Sequence, residues 1–148
     1  MITKSPIRIS QKQRLLVIFF AAGILVALGC GTPGSEVPIS ETTAQITAAN
    51  VQEVAIQMES YYFEPSRINV IVDVPVRLHV TNETLLAPHN FSLYAPEAGM
   101  SVDADISHGE TVAVEFTPTK TGEYTFYCDA GSHETQGMVG TLVVRLRN

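Results

Sequence analysis

From residue 51 onward, nearly every apolar stretch of this chain alternates with period two, and that alternation restricts the fold more than any other feature. Val54, Ile56 and Met58 fall on one face of a strand, with Glu53, Ala55, Gln57 and Glu59 on the other. Ile68, Val70 and Val72 repeat the pattern, as do Val76, Leu78 and Val80, which sends Arg77, His79 and Thr81 to a wet face. Phe91 and Leu93, then Val112, Val114 and Phe116, then Tyr124, Phe126 and Cys128, and finally Leu142, Val144 and Leu146 complete the series. Turn residues separate these runs at Glu64-Pro65-Ser66, Asn82-Glu83-Thr84 and Pro118-Thr119-Lys120-Thr121-Gly122. No helical period of comparable quality, internal repeat or Gly-rich phosphate loop interrupts them. The expected fold is all-β: a Greek-key antiparallel β-sandwich of about seven to eight strands over residues 51–148.

The first thirty residues are of another kind. Lys4, Arg8, Lys12 and Arg14 precede an apolar segment over 15–28 that contains no charge. As a helix that segment is about 21 Å long, short of the roughly 30 Å of a bilayer core. It reads as an export signal or short anchor over 1–30. Its end, Val26-Ala27-Leu28-Gly29-Cys30, resembles the lipobox of bacterial lipoproteins, with Ala27 where an aliphatic residue is usual. That resemblance implies lipidation at Cys30 and a place in the cell envelope, periplasmic or on the outer face of a bacterial membrane. Residues 31–50, rich in Thr, Ser, Pro, Glu and Ala, read as a flexible linker holding the domain off the membrane.

Charge divides at the same point. All fifteen acids follow Cys30, against five Lys and Arg, so the exported part has a net charge near −10 and is a poor partner for nucleic acid. Cys30 and Cys128 are the only cysteines. With Cys30 lipidated, Cys128 is a lone thiol in an oxidising compartment, and metal ligation would protect it.

Cys128 opens the run Cys128-Asp129-Ala130-Gly131-Ser132-His133-Glu134-Thr135-Gln136-Gly137-Met138, with four residues between Cys and His and four between His and Met. The run lies between the last two expected strands, and Gly131 and Gly137 allow it to turn tightly. A thiolate, an imidazole and a thioether thereby converge. His89, from Pro88-His89-Asn90-Phe91 ahead of another strand, adds a second imidazole. Soft sulfur favours Cu(I) and imidazole also suits Cu(II), so this donor set fits an electron-transfer copper site.

These residues resemble the cupredoxins, the plastocyanin, azurin and auracyanin group of blue copper proteins. The resemblance covers 51–148 and rests on His89-Asn90, Gly109-Glu110, Lys120-Thr121-Gly122-Glu123-Tyr124, Phe126-Tyr127-Cys128, His133 and Gly137-Met138-Val139-Gly140. It implies one type 1 copper ion, with His89, Cys128 and His133 as trigonal ligands and Met138 as the weak axial one. It also implies that Asn90 ties the two ligand loops together and that His133 is the electron port, inside an apolar patch of Leu85, Leu86, Ala87 and Pro88. The Cys-to-His spacing is longer than in plastocyanins and the His-to-Met spacing longer than in azurins; the pattern is closer to auracyanins. Polar Glu134, Thr135 and Gln136 beside the port leave the partner type open.

Other residues read as ordinary structure. Met58 and Met100 are packing, His79 and His108 are solvated, and Asp129 and Glu134 are loop charges without an evident substrate pocket between them. The expected function is a monomeric, membrane-tethered electron carrier that exchanges electrons with protein redox partners and is not an enzyme. A copper-binding module for buffering or delivery is the alternative. A zinc enzyme on Cys128, His89 and His133 is a third reading, against which Met138 counts because it occupies the position where water would bind.

Overall fold

The computed structural model describes residues 39–147, and among these eleven strands form two facing sheets. They are β1 (Glu41–Thr43), β2 (Gln45–Ile46), β3 (Gln52–Glu59), β4 (Tyr62–Glu64), β5 (Arg67–Ile71) and β6 (Val76–Asn82). The series continues with β7 (His89–Ala95), β8 (Met100–Ile106), β9 (Thr111–Phe116), β10 (Gly122–Tyr127) and β11 (Val139–Arg145). One sheet has the order β1-β5-β11-β10-β7-β8; the other has the order β2-β3-β6-β9, with β4 also pairing β3. The all-β sandwich agrees with the period-two reading. Most pairs are antiparallel, while β5 lies parallel to β1 and β11, and β3 parallel to β6. These partners are far apart in sequence and are joined by connections rather than hairpins, as parallel pairing requires.

The seven strands expected from alternation are β3, β5, β6, β7, β9, β10 and β11. Three expected inward residues fall outside them, the first being Cys128, which lies one residue beyond β10 and is still buried. Val72 lies beyond β5 and is half-buried, while Leu146 lies beyond β11 and is 71% exposed. The described part of the expected linker also belongs to the sandwich. Residues 41–46 pair in register with β5 and β3. They bury little beyond Ala44, and backbone and polar bonds hold them instead. Ala44 N–H donates to the Asn69 carbonyl at 2.9 Å, Arg67 N–H donates to the Ser40 carbonyl at 2.8 Å, and Asn69 Nδ2 donates to Glu41 Oε1 at 2.7 Å. Composition does not reveal such anchoring, because most of the partners are main-chain groups.

Between the sheets lies a core that includes Ile56, Met58, Phe63, Ile68, Leu78, Phe91, Leu93, Met100, Phe126 and Leu142, all fully buried. Phe126 stacks on Phe91 with ring centroids 5.2 Å apart and meets Phe63 edge to face at 5.1 Å. Such pairs contribute about 0.5–1.5 kcal/mol each beyond the area they bury. On the outer face, Arg77 spans three strands, bonding Glu115 on β9 at 2.6 Å and Glu53 on β3 at 3.0 Å. Exposed pairs of this kind contribute little to stability.

The expected signal segment, 1–30, lies outside the described residues. Among those described, no helix is long and apolar enough to cross a membrane.

Candidate metal centre

Two inward-facing rows run toward one end of the sandwich. On β7 the row Leu93, Phe91 ends at His89, and along β10 Phe126 is followed two residues later by Cys128. The strands are antiparallel neighbours, with Phe126 opposite Leu93. Extended by two residues, that register puts Cys128 opposite Phe91 and diagonal to His89, so the imidazole and the thiol are neighbours above the stacked phenyl rings. Both residues are buried, Cys128 completely.

Beyond Cys128 the chain forms a closed loop. Cys128 N–H donates to the Met138 carbonyl at 3.1 Å, and Met138 N–H donates to the His133 carbonyl at 3.0 Å. A single 3-10 turn, Glu134–Gln136, follows His133 and ends at Gly137, whose φ of +99° suits a residue without Cβ. His133 remains half-exposed and Met138 is completely buried.

The donor atoms meet. Cys128 Sγ lies 3.6 Å from His89 Nδ1 and 3.4 Å from His133 Nδ1, and the two nitrogens are 3.1 Å apart. A point equidistant from all three is about 2 Å from each, which is an imidazole-to-metal bond length. Burial, and then the neighbouring His133, push His89 from 6.5 down to about 4, so its ring is neutral near pH 7 and keeps a lone pair for a metal. Nitrogen lone pairs turned toward one another and a sulfur, in a largely dry site, are unfavourable unless a proton or cation lies between them. The residues present therefore fit a metal ion, and the mixture of soft sulfur and imidazole fits copper. His89 Nε2 is buried without a hydrogen-bond partner among the described residues, whereas ligating histidines usually donate their second N–H.

Asn90 joins the two halves of the site. Its backbone N–H donates to Cys128 Sγ at 3.4 Å, and its side chain bonds both the backbone and the carboxylate of Asp129. Its amide also donates to Ser92 Oγ and Asp103 Oδ1, each at 3.0 Å. The contribution of Asp103 was not evident in the sequence, because β8 itself was not, and Ser92 on β7 takes part only through Asn90 and Asp103.

The remaining candidates lie apart from this cluster. His79 sits half-buried on the outer face of β6, and His108 Nδ1–H donates to the Thr84 carbonyl at 2.5 Å. Met58 and Met100 are fully buried in the core. Leu85 and Leu86, just before His89, are 78% and 97% exposed. Sequence reasoning missed Tyr61, whose ring lies 4.7 Å from that of His133 and 6.3 Å from that of His89.

The model of one protein family, the cupredoxin-like domain, matches residues 21–144. The chain belongs to this family. A search of curated proteins finds no match. Among solved structures, this cupredoxin-like chain is similar to the metal-binding domain of the Streptococcus pneumoniae D39 Cu(I)-exporting P-type ATPase CopA, with 19% identity and a TM-score of 0.58 over 73% of this chain and 98% of that one. It is also similar to auracyanin A, a blue copper protein of Chloroflexus aurantiacus, with 22% identity and a TM-score of 0.55 over 64% of this chain and 99% of that one. A copper-containing nitrite reductase from Thermus scotoductus matches with 21% identity and a TM-score of 0.50, over 73% of this chain and 28% of that one. At these identities the likeness concerns the cupredoxin fold.

Proposed function

We propose that the protein is a one-electron carrier with a single type 1 copper ion, held by His89, Cys128 and His133, with Met138 as a weak axial ligand. The observation that carries this reading is the convergence of one sulfur and two imidazole nitrogens within 3.1–3.6 Å of one another. Copper bound there would supply one-electron chemistry between Cu(I) and Cu(II).

The residues themselves do three things. His89 begins β7 and Cys128 directly follows β10, its paired neighbour, so both donors are fixed to the sheet and little rearrangement would accompany a change of charge. The Asn90 N–H to Cys128 Sγ bond withdraws electron density from the sulfur, a lever on the reduction potential. Half-exposed His133 offers a route for electrons to a protein partner docked at that end, and the exposed Leu85 and Leu86, a few residues ahead of His89, would supply apolar contacts to such a partner. The blue copper likeness supports the same reading. An exported, monomeric protein tethered through a lipidated Cys30, with 1–30 as its signal, completes the proposal; intact mass of membrane-extracted protein tests the tether.

The deciding experiment adds Cu(II) to the full chain in detergent and records visible and electron paramagnetic resonance spectra before and after ascorbate. An intense thiolate-to-copper band that bleaches reversibly and is lost in Cys128→Ser supports the carrier. Tetragonal copper signals unchanged by Cys128→Ser overturn it. A second reading, copper buffering or delivery, draws on the likeness to the exporter's metal-binding domain. Slow electron self-exchange combined with ready copper transfer to an apo-partner favours that alternative.

A further inference from the structure

All of the donors come from the sheet that contains β7, β10 and β11, yet one residue of the opposite sheet reaches the same place. The turn between β3 and β4 carries Tyr61, two residues ahead of the buried Phe63. Phe63 packs against Phe91 and Phe126 beneath the site, with ring centroids 6.0 Å and 5.1 Å away. One layer higher, Tyr61 repeats the arrangement against the two imidazoles. It tilts 47° to the His133 ring at 4.7 Å and meets His89 nearly edge to face at 6.3 Å, while the imidazoles are 4.8 Å apart.

His133 needs such a neighbour more than His89 does. His89 is buried and begins a paired strand, whereas His133 is half-exposed on the ligand loop, just ahead of the 3-10 turn. A half-exposed ring has more freedom to rotate, and rotation would take Nδ1 away from Cys128. Resting on the proposed metal centre, we infer that Tyr61 is a positioning residue. Its ring holds the His133 imidazole with Nδ1 turned toward Cys128 and His89 and covers that imidazole from the side of the opposite sheet. An aromatic contact of this strength corresponds to about a two- to tenfold change in an equilibrium or dissociation rate.

The test compares the full chain with Tyr61→Phe and Tyr61→Leu, each loaded with copper in detergent. It reads the visible and electron paramagnetic resonance spectra of the Cu(II) form and the rate of Cu(I) release to excess bathocuproine. Tyr61→Phe keeps the ring and is expected to match the parent in both readouts. Tyr61→Leu is expected to release Cu(I) about two- to tenfold faster and to shift the thiolate band. Should Tyr61→Leu not fold, Tyr61→Met, which fills the space with an adaptable side chain, takes its place with the same expectation. A parent-like spectrum and release rate in the ring-less variant overturn the role of Tyr61 and leave the metal centre standing. A parent chain without a thiolate-to-copper band overturns both.

Discussion

Asn90 accepts a hydrogen bond from the backbone N–H of Asp129 at 2.8 Å, which joins the residue after His89 to the residue after Cys128. Two strands that end at the site are thereby locked in register by one buried amide, itself held by Ser92 and Asp103. Replacing Asn90 with Ala leaves Asp129 N–H without this acceptor and sets the Asp103 and Asp129 carboxylates facing each other unbridged. The expected loss is about 1–3 kcal/mol, read from urea denaturation of the metal-free protein.

The metal-free protein should also lose stability in mild acid. His89 titrates at about 4 when folded, below its ordinary 6.5, so the unfolded chain takes up that proton first. The contribution is fully present above pH 6.5 and is lost progressively as the pH falls toward 4, amounting to about 3 kcal/mol. Denaturation at several pH values checks this, and His89→Leu should flatten the slope across that window.

Truncation locates the start of the folded unit. A chain beginning at Val51 lacks β1 and β2 and leaves the outer edge of β5 and part of that of β3 unpaired. It should be less stable than a chain beginning at Val37, by on the order of 3 kcal/mol for the several hydrogen bonds removed. Equal denaturation midpoints would show that the early strands add nothing.

Gly140 is a tight approach rather than a flexible joint. A Cβ there would lie 2.2 Å from Cζ of Phe126 and 2.8 Å from the Ser66 carbonyl oxygen, and the Phe126 ring is fully buried. Gly140→Ala should cost about 1–3 kcal/mol by overpacking, measurable as a lower Tm.

The residues that were legible in the sequence share a cause. His89 and Cys128 continue inward-facing rows, and Cys128, His133 and Met138 share one short loop, so spacing alone brings three of the four together. Tyr61 was not legible, because it reaches the site from the other sheet and nothing in Ser60-Tyr61-Tyr62 sets one tyrosine apart from the next. β8 alternates Met100, Val102, Ala104 and Ile106 with Ser101, Asp103 and Asp105, yet its aspartates and small residues weaken the strand signal. The earliest strands are only two or three residues long and are recognised by their hydrogen bonds rather than by buried side chains.

The bond from Cys128 N–H to the Met138 carbonyl pinches the ligand loop shut at its base. What lies between those two residues is thus a detachable cassette: residues can be inserted or deleted there while both sheets keep their register. Loop length and sheet register are thereby separate variables in this chain, since the ladder from Tyr127 opposite Val139 onward does not pass through the loop.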